Sequence, residues 1–254
     1  MTKAMVSIRG MGQLAWTELK LFFREPIALF FNLVLPLMVL YIFGSSFGAN
    51  DPGSGRYGAI DYMMPGYGAL FIANVGLMSI PVNISTYRER KILRRLMAVP
   101  IRPLAVIFAF GLVSLGTTAL CYTTTMVVAK LAYNLRFFGD ILTFVFAFLM
   151  CSLSFFALGF LVAGISSTSR IAQAIGSAIF FLALFLSDAV IPVNMLSPTL
   201  QQVSEYIPLT HAVKLFRGIW LGKPWADYWT QIIVLLALLV VSVAVSLRVY
   251  KWRQ

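Results

Sequence analysis

ILTFVFAFLMCSLSFFALGFLVAGI, residues Ile141–Ile165, runs without a charged side chain. A stretch of about 18 or more apolar residues is long enough to cross the hydrocarbon core of a bilayer as a helix. A helix is the form that suits it, because inside lipid every backbone N–H and C=O must be satisfied within the segment. Five further runs have the same character: Ile27–Phe47, Tyr62–Ser85, Leu104–Tyr133, Ile171–Val190 and Tyr228–Val249. In the third, Lys130 sits near the end, where its side chain can snorkel to the headgroups. The fold expected is an all-α integral membrane protein of six transmembrane helices, with residues 1–254 as one transmembrane domain.

Composition agrees. Of the 254 residues 60% are hydrophobic and 11% charged, and the mean hydropathy is +0.87, against about 45–50% apolar and about 25% charged in soluble domains. These values exclude a soluble enzyme, a disordered chain and a coiled coil. The net charge of +11 sits between apolar runs, which points to the membrane surface and not to nucleic acid. Cys121 and Cys151 both lie in apolar runs and read as small core residues. No cleavable signal peptide is expected, since the first apolar run follows a charged helix and no small-residue cleavage motif comes after it. With the N-terminus in the cytoplasm, 14 Lys and Arg fall inside and 6 outside, so both termini are expected in the cytoplasm. The Asn50–Gly58 loop is then external, and Asp51 and Asp61 beside it read as solvated charges.

Three amphipathic pieces lie outside the spans. In Gly12–Glu25, residues 12–25, Gly12, Ala15, Trp16, Leu19, Phe22 and Phe23 share one helical face, and Gln13, Thr17, Lys20 and Arg24 line the other before Pro26 breaks the helix. It reads as an interfacial helix, carried by Trp16, Glu18, Lys20 and Arg24, that serves either as an anchor or as a docking element. The second piece is YRERKILRRLMAVPIRP, residues 87–103. Ile92, Leu93, Leu96 and Met97 form an apolar stripe, Arg88, Lys91 and Arg95 a basic face with Arg90 and Arg94 beside it, and Glu89 is the lone acid. Pro100 and Pro103 stop it. A positive-inside loop would explain some of this charge, but apolar anchors ringed by charge are what a cytoplasmic partner docks on. The third, residues 192–227, is external and holds two short helices that dip into the outer leaflet or cap the bundle. Leu209, Val213, Phe216 and Trp220 lie on one face, with Thr210, Lys214 and Arg217 on the other. His211 reads as a plain interfacial histidine, and the five tryptophans, Trp16, Trp220, Trp225, Trp229 and Trp252, as interface anchors.

The spans carry almost none of the groups an enzyme needs. Asp188, near the outer end of span five, is the one carboxylate well inside an apolar run, and there is no HExxH, CxxC or GxSxG motif. The GLVSLGT stretch at residues 111–117 lacks the lysine of a phosphate loop, and its glycines suit close helix packing. Uncharged polar residues in the spans mostly join helices. Phe30, Asn32, Asn74, Met78, Phe181, Phe185 and Asp188 are the candidates to line a path for an amphipathic molecule. No metal site is expected.

Residues 87–103, together with SDAVIPVNMLSPTLQQVSEYIPLTHAVKLFRGIWLGKPW at Ser187–Trp225 and the amphipathic Gly12–Glu25, resemble the membrane subunit of ABC-2 type ABC exporters over essentially the whole chain. The resemblance rests on the glutamate–basic–leucine–proline loop after span two, and on the prolines, the Pro-Leu-Thr turn and the Arg-Gly pair before span six. Arg94 and Arg95 stand where the family more often has acidic residues. The resemblance implies a dimeric channel with two cytoplasmic ATPase subunits below it. Those subunits hold the ATP and Mg, and this chain binds no cofactor. Arg88, Glu89, Arg90, Lys91, Leu93, Arg94, Arg95, Leu96 and Pro100 would form the coupling helix that docks on them, and the two external helices would form a gate. The location implied is the inner (plasma) membrane. A polysaccharide path would be lined by sugar-stacking aromatics, and the tryptophans here all fall at interfaces, which favours a hydrophobic or amphipathic small molecule or lipid as substrate over a polysaccharide or lipid-linked glycan. A lipid-modifying membrane enzyme and an assembly scaffold are the alternatives from other classes.

Overall fold

The computed structural model describes residues 58–91, 103–190 and 193–249, with Val34, Leu37, Met38, Leu40, Tyr41, Ile42 and Ser45. Most of the first expected span, the interfacial helix with Trp16, Glu18, Lys20 and Arg24, path residues Phe30 and Asn32, and docking residues Leu93, Arg94, Arg95, Leu96 and Pro100 lie outside the described residues.

The described residues form helices and no strand. Besides short 3-10 helices at Val193–Met195 and Trp225–Tyr228, they are in chain order α1 (Ala59–Asn74), a π-helical turn (Val75–Ser79), α2 (Ile80–Glu89), α3 (Pro103–Tyr133), α4 (Ile141–Ile165), α5 (Ser169–Leu186), α6 (Pro198–Ser204), α7 (Pro208–Trp220) and α8 (Trp229–Val249). Five helical stretches among them are long and apolar enough to cross a membrane: Ile60–Glu89, Phe108–Tyr133, Ile141–Ile165, Ser169–Leu186 and Trp225–Arg248. The first holds 30 residues, roughly 45 Å of helix at 1.5 Å per residue. A hydrocarbon core is about 30 Å thick, so this stretch is longer than an upright crossing needs.

The ends of these helices are chemically marked. Asp140 begins α4 by accepting from the backbone N–H and the hydroxyl of Thr143, at 2.8 and 2.7 Å. Those bonds hold its carboxyl below the usual carboxylate range. Thr168 caps α5 by accepting from the N–H of Ile171. Pro198 and Pro208 open α6 and α7, where a missing N–H costs nothing. Span five ends at Leu186, short of Val190, because the chain turns at Asp188, whose φ is +63°.

The π-helical turn decides how the bundle packs. Pro81 has no N–H to return to the carbonyl of Leu77 four residues back, and the helix widens just ahead of it. The carbonyls of Gly76 and Leu77 press against the faces of α4 and α5, where Gly159 and Gly176 leave room. A Cβ on Gly159 would overlap the Gly76 oxygen, and one on Gly176 the Leu77 oxygen. A Cβ on Gly76 would lie 2.7 Å from the carbonyl oxygen of Phe155. Three helices thus meet backbone to backbone, the close approach that small residues permit in membranes.

α7 is not a surface helix. Leu209, Thr210, Val213, Leu215, Phe216 and Trp220 are all at 0% exposure, sunk among α1, α4 and α8. Phe216 and Trp220 complete an aromatic cluster with Phe137 and Phe144, with ring centroids 4.8 Å apart for Phe137–Trp220 and 5.3 Å for Phe144–Phe216. The Trp220 indole N–H donates to the Arg136 carbonyl at 3.1 Å. Trp220, expected as an interface anchor, is therefore corrected: its ring is packed inside the protein. The apolar stripe faces protein, and most of the opposite face is covered too. α4 and α8 pack side by side and share a polar bond from the Ser154 hydroxyl to the Leu235 carbonyl, 2.9 Å. Ser154→Ala is expected to destabilise the chain by about 0.6 kcal/mol, the average for such bonds in membranes, measured by thermal unfolding in detergent.

Candidate functional site

The two ends of the bundle each gather charged residues. At one end, where α1 and α4 begin and α5 finishes, Arg217 reaches out of α7 and is the hub. Its guanidinium pairs with the Asp188 carboxylate, donates to the Asp188 carbonyl at 2.9 Å and to the Tyr62 hydroxyl at 3.0 Å, and lies 3.9 Å from the centroid of the Tyr62 ring. The Asp188 carboxylate also accepts from the N–H of Val193 at 3.0 Å. The pair is mostly shielded, with side-chain exposures of 12% and 15%. Gly218 follows because the Tyr228 ring lies where its Cβ would be. One guanidinium thereby joins α1, the exit of α5 and α7. Planar, multidentate bonding of this kind is what Arg provides and Lys does not.

Asp61, expected as a solvated charge, is buried at the same end. It accepts from the N–H of Arg136 at 2.8 Å and of Gly58 at 3.1 Å, so it caps α1 and ties it to the α3–α4 link. His211, expected at the interface, is also buried, with Nε2 2.8 Å from the Glu205 carbonyl. The spacing of Asp61 three residues after Gly58 was the available signal for a capping role. Nothing in the sequence could pair it with Arg136.

At the other end α2 finishes at Glu89 with Arg90 as its C-cap, and Lys91 takes the left-handed conformation, φ +56°, that commonly terminates a helix. Arg88 donates to the carbonyl of Ser166, the residue that ends α4. Glu89 accepts from the backbone N–H of Ser169 at 2.7 Å and from its hydroxyl at 2.9 Å, where α5 begins. Arg90 and Lys91 are exposed. Of the described docking candidates, Arg88 and the exposed Glu89 bond to the chain's own α4–α5 turn, and Arg90 and Lys91 are exposed beyond them.

The described path candidates fall on neighbouring helices. Asn74 and Met78, four residues apart, flank the π-helical turn and are half-buried; Phe181 and Phe185, also four apart, are exposed on α5. Asp188 is engaged by Arg217. Among the described residues no three His, Cys, Asp or Glu come together as metal ligands would.

A multi-pass helical membrane protein with this 30-residue span and these two charged ends is matched over residues 10–221 by the model of the ABC-2 type transporter family. The chain belongs to that family. Among curated proteins it is 43% identical over 63 residues to nodulation protein J of Rhizobium leguminosarum bv. viciae, covering 25% of this chain and 24% of that protein. It is 31% identical over 129 residues to nodulation protein J of Neorhizobium galegae, covering 50% and 48%. It is 24% identical over 170 residues to a probable multidrug ABC transporter permease, YbhR, of Escherichia coli K12, covering 64% and 46%. The matched stretches span at most about half the length of these relatives.

Proposed function

We propose that this chain is the permease subunit of an ATP-driven ABC exporter. It would work as a dimer, with six spans and both termini on the cytoplasmic side of the inner (plasma) membrane. The observation that carries the reading is the family match across residues 10–221. In this reading the charged end of α2 is cytoplasmic, and Arg90 and Lys91 lead into the segment, up to Pro103, on which an ATPase subunit docks. Arg88 and Glu89 hold the base of that segment, and the interfacial helix at residues 12–25 braces the junction. The bound ATP and Mg belong to the ATPase subunits. α6 and α7 are the outer gate.

A permease without chemistry of its own must receive work from outside. ATP can shift its equilibrium only through different affinities for two states, and a docked rigid element passes that shift on as rigid-body motion. The substrate proposed is a hydrophobic or amphipathic small molecule, or a lipid. The half-buried Asn74 and Met78 and the exposed Phe181 and Phe185 support this, as does the name of the relative called a probable multidrug permease. The experiment is co-purification with an ABC ATPase subunit co-expressed with the chain, followed by ATP hydrolysis in proteoliposomes. Hydrolysis is expected from the complex and not from the chain alone, with flux of a lipophilic cation dye that stops without ATP. Hydrolysis-independent turnover of lipid by the chain alone would favour an enzyme, and binding without flux would favour a scaffold.

A further inference from the structure

We infer that Arg88 and Glu89 are positioning residues. Together they clamp the end of α2 to the turn between α4 and α5, so that the docking segment is mounted on three helices instead of one.

The chemistry of the contact is specific. The α4–α5 connection consists of Ser166, Ser167 and Thr168. It presents the carbonyl end of one helix beside the N–H end of the next, that is, partial negative charge next to partial positive charge. Two consecutive residues of opposite charge meet it in matching order: the Arg88 guanidinium on the Ser166 carbonyl, and the Glu89 carboxylate on the N–H and hydroxyl of Ser169. The partners are 78 and 80 residues away in sequence, so these bonds are not local helix capping. Charge-assisted bonds of this kind are about twice as strong as neutral ones. A single bond would act as a pivot. Two, of opposite polarity and on opposite sides of the turn, also fix rotation of α2 about its own axis.

The clamp closes a unit that is already tight. Further along the same helices, the π-helical turn between α1 and α2 presses its carbonyls against Gly159 of α4 and Gly176 of α5. α2 is therefore held to α4 and α5 at two levels, by backbone contact at the π-helical turn and by charge at the tip. A push on the chain beyond Lys91 moves α2, α4 and α5 as one body and does not simply bend the end of α2. Separate movement of α5, which carries Phe181, Phe185 and the approach to Asp188, requires the clamp to open. The inference deepens the exporter reading and rests on it only in supposing that an ATPase subunit supplies the push. The clamp itself is a property of the single chain.

The test uses the full chain in lipid nanodiscs, with Cys121 and Cys151 replaced by alanine and spin labels on Lys91→Cys and Gln173→Cys. One narrow distance distribution is expected, retained in Arg88→Lys. Combining Arg88→Gln with Glu89→Gln is expected to widen it at least twofold, with thermal unfolding confirming that the chain stays folded. Glu89→Gln alone, which keeps a weaker acceptor, is expected to give an intermediate width. Should the combined variant fail to fold, this single variant decides. An unchanged width in a folded neutralised variant overturns the inference. No ATPase is needed for this measurement, so failure of the exporter reading leaves its result intact.

Discussion

Gly159→Leu is expected to prevent the folded chain from accumulating in the membrane, and Gly176→Leu to do the same. At both positions any Cβ overlaps a carbonyl oxygen of the π-helical turn, on Gly76 or Leu77. That oxygen belongs to backbone, which cannot swing aside as a side-chain tip can. The helices must separate, and separation exposes the buried surface of Ile72, Leu77, Ile80 and Phe155 along the same seam. Overpacking in a close-packed interior costs about 1–3 kcal/mol, occasionally more. A backbone collision with loss of the seam belongs at or beyond the top of that range. Gly111→Leu, whose Cβ meets nothing within 4 Å, is the control and is expected to accumulate normally. The measurement is the folded fraction after detergent extraction and size-exclusion chromatography.

Arg217→Gln is expected to cost about 3 kcal/mol, the lower end of what breaking a buried ion pair costs. It leaves the Asp188 carboxylate in a site only 15% exposed with, among the described residues, the Val193 N–H as a remaining polar contact, and it unties α1 from α7 at Tyr62. Asp188→Asn alone strands the guanidinium instead and is also destabilising. Asparagine tolerates the positive φ at this position, so the loss comes from charge and not from backbone strain. The double variant Arg217→Gln, Asp188→Asn removes both charges and is expected to recover a large part of the loss. Thermal unfolding of the four proteins in detergent gives the coupling energy. Additive losses would mean that the pair does not join these helices.

The same pair illustrates what can be read from sequence and what cannot. Spans such as Ile141–Ile165 are legible to the residue, because lipid demands apolar side chains on every face and charges mark where the demand ends. That the helix is disturbed near Pro81 is legible from the missing N–H; the π-helical register that turns Gly76 toward Gly159 is not, since it depends on which helices lie alongside. α7 carries an apolar stripe that suits a lipid surface and a protein groove equally. Its burial is betrayed only by the other face, where Thr210, His211 and Gly218 are small or able to hydrogen-bond, and by an indole N–H on Trp220 that needs a partner. The basic character of Tyr87–Pro103 is plain in the sequence. That its first charges grip Ser166 and Ser169, some 80 residues on, is information that only the packed bundle holds. Asp61 and Asp188 look alike on paper as carboxylates near span ends, and folding gives one a pair of backbone N–H groups and the other a guanidinium.

The central claim is that the charged end of α2 faces the cytoplasm, where a nucleotide-hydrolysing subunit can take hold of it. A single thiol at Lys91→Cys, exposed at the end of α2, tests this in intact cells with a membrane-impermeant maleimide. Labelling is expected only after the cells are opened, and reduced when the ATPase subunit is co-expressed. Full labelling of intact cells would place this end outside and contradict the account.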